Sequence, residues 1–120
     1  MNLLFVGAGG CIGAILRYLI GLIPIGNSNG FPVNTFIINA AGAFAIGIIS
    51  ALSAKYADFD PKIILFLKTG ICGGFTTFST FSLESFELLE SGSALTGILY
   101  MLSTVVFCIL AVLLAHILIR

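Results

Sequence analysis

Apolar positions along the chain fall into long runs that only a few charges interrupt. Met1 to Leu16 is charge-free, Arg17 breaks the run, and no charge appears from Tyr18 to Ala54 or from Ser91 to Ile119. A helix that crosses roughly 30 Å of hydrocarbon needs about 20 mostly apolar residues. The Tyr18 to Ala54 run is too long for one helix and contains Pro24-Ile-Gly-Asn-Ser-Asn-Gly-Phe-Pro32, a stretch of turn formers. The pattern predicts spans over about 2–23 and 33–54. Lys55-Tyr-Ala-Asp-Phe-Asp-Pro-Lys62 then reads as a loop, with Asp60 or Pro61 starting the next helix. A third span follows over about 61–90, Ser91-Gly-Ser93 turns, and a fourth span runs over about 94–119. The predicted fold class is an all-α integral membrane protein with a single four-helix domain over 1–120.

Composition strengthens that reading. Hydrophobic residues make up 59% of the chain and charged residues 8%, with five Lys/Arg against five Asp/Glu. Soluble domains carry about 25% charged residues. Disorder needs low hydrophobicity with high net charge, and nucleic-acid binding needs a basic face; neither is present. Met1 to Ile23 lacks a basic start and holds Arg17 where an apolar core should end, so it reads as a span rather than a cleaved signal peptide.

Lys55, Lys62 and Arg120 fall on the side of the N-terminus, while the first and third loops have no Lys or Arg. The bias mildly places both termini inside. A chain that inserts in both directions must avoid a strong bias. Cys11, Cys72 and Cys108 are odd in number, lie in spans and show no metal-ligand spacing; small apolar residues in helices is their plain reading. His116 reads as interfacial. No HExxH, Ser-His-Asp or paired-carboxylate arrangement appears, so no enzyme is expected.

Leu3-Leu-Phe-Val-Gly7-Ala-Gly9-Gly10-Cys-Ile-Gly13 imitates a dinucleotide-binding turn, but the third glycine position holds Ile12 and the first acid is Asp58. Gly9 with Gly13, and Gly10 with Ala14, have instead the small-residue spacing that lets membrane helices approach closely. Gly42, Ala43 and Gly47 supply the same on span two.

Several residues do not belong on a plain lipid-facing helix. Arg17 is an intramembrane cation, which either snorkels to the interface or helps create an electropositive entrance for an anion. Asn39 brings amide donors into span two, for an inter-helix hydrogen bond or a ligand. The sequence Gly73-Gly74-Phe75-Thr76-Thr77 predicts a break in span three. Backbone groups freed there must be buried in protein or line a polar site, and free carbonyls suit a small hard cation such as sodium. Phe75, Phe78 and Phe81 recur every three residues as one stripe after the break, with Thr76, Thr77, Ser79, Thr80 and Ser82 hydroxyls between them. Such a stripe is either core packing or a set of positive ring edges facing an anion. Tyr100, Thr104 and Cys108 form a weakly polar stripe on span four.

These blocks resemble the fluoride channel family known as Fluc or CrcB over nearly the full length. The resemblance is carried by Gly9-Gly10-Cys-Ile-Gly13-Ala14-Ile-Leu-Arg17-Tyr18, by Thr35-Phe-Ile-Ile-Asn39-Ala-Ala-Gly42-Ala-Phe44, and most specifically by Gly70-Ile-Cys-Gly73-Gly74-Phe75-Thr76-Thr77-Phe78-Ser79-Thr80-Phe81-Ser82. It implies an antiparallel, dual-topology homodimer in the cytoplasmic (inner) cell membrane, with two fluoride pathways along the subunit interface and passive fluoride export that relieves toxicity. Phe78 and Phe81 would be the paired pore phenylalanines and Asn39 the pore asparagine. Ser79, Thr80, Tyr100 and Thr104 would form a polar track with Glu84 near one end, and Arg17 would sit at the vestibule. Gly73 and Thr76 would give backbone carbonyls to one structural, non-transported sodium ion on the dimer axis. Asn34 stands where the family usually has glycine, Cys108 where a hydroxyl is expected, and Lys68 is unusual inside span three. The alternative, a small dual-topology multidrug or cation exporter, requires a first-span carboxylate, and this chain has Arg17 there. A packing-only accessory subunit leaves the Phe/Thr/Ser pattern unexplained.

Overall fold

The computed structural model describes residues 1–25 and 30–120. Gly26, Asn27, Ser28 and Asn29 of the predicted first turn lie outside the described residues. Regular structure among the described residues is entirely helical: α1 (Asn2–Gly21), α2 (Val33–Lys55), α3 (Pro61–Ile64), a widened π-helical segment π1 (Leu65–Cys72), α4 (Gly73–Phe75), α5 (Phe78–Glu90) and α6 (Ala94–Ile119). The pieces from α3 to α5 form one bent span, Pro61–Glu90, so four helical spans are long and apolar enough to cross a membrane. Large apolar side chains such as Leu3, Leu99, Leu102 and Ile109 point outward, as lipid solvation permits.

Helix ends follow local chemistry. Asp60 caps α3, its Oδ1 accepting the Lys62 N–H at 2.9 Å, with Pro61 in the first helical position. The third loop closes on Gly92 at φ +88, where the Ser93 N–H reaches the Leu88 carbonyl at 2.9 Å and Gly92 N–H reaches Leu89 at 3.4 Å. That pair of bonds is a Schellman motif, which needs a left-handed residue. The first span stops at Gly21, two residues short of the predicted end, because Leu22 and Ile23 tighten onto the Leu19 and Ile20 carbonyls.

The break in the third span falls at the threonine end of the predicted stretch. Gly73 and Gly74 are helical, and the chain becomes extended at Thr76 (φ −79, ψ 155) and Thr77 (φ −147, ψ 115). Thr77 restarts the helix, its hydroxyl oxygen accepting the Thr80 N–H at 3.2 Å. Phe75 therefore lies before the break and Phe78 and Phe81 after it, so the predicted three-ring stripe is divided between two helices.

The glycines act in packing instead. A Cβ on Gly70 would lie 2.8 Å from the Gly9 Cα, and one on Gly74 would lie 2.5 Å from the Gly10 carbonyl oxygen. One on Gly13 would collide with the Ile71 carbonyl oxygen. Thus α1 lies backbone to backbone, and parallel, against π1 and α4. Span two pairs in the same way with α6, also parallel: a Cβ on Gly47 would sit 2.7 Å from the Ala115 Cβ, and Lys55 Nζ donates to the Ile119 carbonyl at 3.0 Å.

The neighbouring glycines of the third span should differ sharply. Gly74→Ala is expected to destabilise the fold by about 1–3 kcal/mol through overpacking. Gly73→Ala meets nothing within 4 Å and should leave the melting temperature unchanged or raised. Thermal unfolding of the two purified variants in detergent checks the contrast.

Candidate functional site

The extended Thr76–Thr77 link exposes backbone groups that lipid cannot satisfy, and the fold assigns most of them a partner. The Cys72 carbonyl accepts both the N–H and the Oγ1–H of Thr76, each at 3.0 Å. Arg17 Nε donates to the Gly74 carbonyl at 3.1 Å. Asn39 bridges Thr77 twice: Oδ1 accepts its N–H at 2.8 Å, and Nδ2 donates to its carbonyl at 3.1 Å. An amide has two N–H donors, and Thr77 takes one. Among the described residues, no hydrogen bond is seen at the Gly73 or Thr76 carbonyl.

Those two residues line an open groove of about 390 Å³ together with Asn39, Thr77, Phe78, Phe81, Thr104 and Cys108. No charged side chain lines it. Phe81 is buried and Phe78 is 78% exposed, their ring centroids 5.7 Å apart. Thr104 Oγ1 is buried without a hydrogen-bond partner. A buried hydroxyl left unpaired is unfavourable, and this one lies behind the groove surface.

Arg17, Thr80 and Glu84 line a different cavity, of about 480 Å³, bounded by the end of α1, the start of α2 and α5. Thr77 is common to the two linings. Its Oγ1 donates to Thr80 Oγ1 at 3.1 Å and lies 3.4 Å from the exposed Ser79 hydroxyl. Glu84 is held by two hydroxyls: Thr35 Oγ1 donates to Oε2 at 3.1 Å and the Tyr100 hydroxyl to Oε1 at 3.0 Å. Tyr100 is fully buried, 5.2 Å from Phe81 and edge-on to Phe31 at 5.3 Å.

The structure thus brings Asn39, Phe78, Phe81, Thr104, Gly73 and Thr76 to one groove. It places Arg17, Thr80 and Glu84 at the second cavity, and leaves Tyr100 inside the wall. Lys68 is solvent- or lipid-exposed on π1. The sequence pattern names Thr77 among the hydroxyls near the break and Thr35 within a matching block, but gives neither a role at the site. Thr77 carried a usable signal, a threonine immediately before a helical run; Thr35 carried none, because its partner Glu84 is remote in sequence.

Known proteins resemble the chain over nearly its full length. Residues 4–116 match the family model described as CrcB-like protein, Camphor Resistance (CrcB). The chain is 44% identical to the fluoride-specific ion channel FluC of Ruminiclostridium cellulolyticum, covering 98% of this chain and 92% of that protein. It is 43% identical to FluC of Azobacteroides pseudotrichonymphae, covering 98% and 94%, and 40% identical to FluC of Rhizobium meliloti, covering 92% and 90%.

Because Asn39 alone pins both polar groups of Thr77, Asn39→Ala should destabilise the fold by about 2 kcal/mol, the scale of buried backbone groups left unpaired. Asn39→Asp keeps the acceptor and loses the donor, and should fall between. Denaturant titration of helicity in micelles measures the order.

Proposed function

The chain belongs to the CrcB family, and from that membership we propose that it is a fluoride-selective channel. It lets fluoride leave the cell passively across the cytoplasmic membrane, which relieves fluoride toxicity. The observation that carries this reading is the gathering of Asn39, Phe78, Phe81 and Thr104 on one uncharged groove at the helix break.

The chemistry is suited to a small, strongly hydrated anion. The second Asn39 N–H replaces water, and the positive edges of Phe78 and Phe81 add attraction without a formal charge. With no charged side chain in the groove, binding stays weak enough for release, as conduction demands. The route runs from the cavity of Arg17, Thr80 and Glu84, past Thr77 and Ser79, into the groove. Tyr100 acts from the wall by holding Glu84.

One chain offers only an open groove, so a second copy must supply the opposite wall. The sparse Lys/Arg asymmetry is compatible with insertion in both directions and thus with an antiparallel homodimer. Gly73 and Thr76 fit a structural sodium: their carbonyls carry no hydrogen bond and lie on the open face. Two oxygens per chain make four across a twofold axis. The ion would satisfy carbonyls that the break leaves bare.

Vesicles containing the purified protein should discharge a fluoride gradient and hold a chloride gradient, and Phe81→Ile should reduce fluoride efflux to that of empty vesicles. Equal fluoride and chloride efflux would refute the channel. Replacing sodium by an organic cation should weaken dimer assembly or flux; indifference of both would remove Gly73 and Thr76 from the site.

A further inference from the structure

Asn34 sits at the start of α2 and reaches back to the end of α1. Its Nδ2 donates to the Ile20 carbonyl at 2.9 Å and to the Ile23 carbonyl at 2.8 Å. Both amide hydrogens are thereby used, as second bonds on carbonyls that already accept the Ile23 N–H at 3.1 Å and the Ile25 N–H at 2.8 Å. Among the described residues this is the only side-chain hydrogen bonding that joins α1 to α2.

The position matters because of what flanks it. One turn before Ile20 stands Arg17, anchored to the Gly74 carbonyl. Next to Asn34 stands Thr35, whose hydroxyl holds Glu84. Arg17, Asn34, Thr35 and Glu84 all line the same cavity. The cation comes from α1, and the carboxylate, on α5, is held from α2 by Thr35 and from α6 by Tyr100, so a shift between the ends of α1 and α2 moves Arg17 relative to the Thr35 side of Glu84.

We propose that Asn34 is a positioning residue for anion entry: its amide clip sets the separation of Arg17 from the Thr35–Glu84 pair and so the strength with which the cavity draws in fluoride. This rests on the channel reading above. Glycine cannot form the clip and must leave that spacing to the loop. Aspartate offers acceptors to two acceptors and should open it. Glutamine keeps both donors on a longer arm.

The test measures fluoride current against fluoride concentration in planar bilayers for the full chain. Asn34→Ala should raise the half-saturating fluoride concentration about fivefold, the factor that one ordinary hydrogen bond supplies, with maximal current little changed. Asn34→Gln should recover most of the loss and Asn34→Asp none. In an Arg17→Ala background, Asn34→Ala should add nothing further, which a merely structural contact would not predict. An unchanged half-saturation in Asn34→Ala, or additive effects of the two substitutions, overturns the proposal. If Asn34→Ala is not recovered folded, equal half-saturation for the Gln and Asp variants overturns it and separation of the two supports it. Absence of fluoride current in the native protein would instead overturn the channel reading itself.

Discussion

The fold turns on one requirement: a helix interrupted in mid-membrane must find partners for the backbone groups it releases, because hydrocarbon offers none. Here the interruption is Thr76–Thr77, and three separate elements answer it. Asn39 from α2 takes both polar groups of Thr77, Arg17 from α1 takes the Gly74 carbonyl, and Thr76 turns its own hydroxyl back on Cys72. The two intramembrane polar residues that stand out in α1 and α2 thus converge on the same short link. Arg17 and Asn39 are neither stray charges nor simple ligands; each ties a neighbouring helix to the break.

Close approach makes those ties possible. An arginine on α1 reaches a carbonyl on α4 because glycines at 9, 13, 70 and 74 remove the side chains that would hold the backbones apart. In lipid, apolar side chains gain little by leaving one apolar surface for another, so contact between backbones carries the association. Other small residues, Gly42, Ala43 and Gly73, line the uncharged groove beside that contact, and the break opens onto it. Packing and site are consequences of one another.

The sequence pattern located all four spans to within two residues at each end, and the Asp60–Pro61 start and the Ser91–Ser93 turn as well. It also singled out the residues that meet at the groove. It held the break within Gly73–Thr77 but credited it to the glycines, a judgement suited to helices in water; the chain turns extended at Thr76 and Thr77, and Gly74 is a contact residue. The division of the polar residues between a groove and a separate cavity was not legible, since it depends on Thr77 standing between them. Nor was the pairing of Asn34 with Ile20 and Ile23, or of Thr35 with Glu84, because no local rule links residues so far apart along the chain.

The parallel pairing of the first span with the third, and of the second with the fourth, bears on how the protein is made. Neighbours in sequence are not the principal neighbours in space. While the ribosome is still delivering the later helices, α1 must wait in the bilayer with its glycine face bare, and α2 must wait longer for α6. Assembly is therefore a late, interleaved event: the final helix to emerge completes the pair begun by the second. Such non-local closure is intrinsically slower than hairpin-by-hairpin folding. It leaves an interval in which the half-made bundle is a target for membrane quality control, until α6 is in place and Lys55 can reach the Ile119 carbonyl.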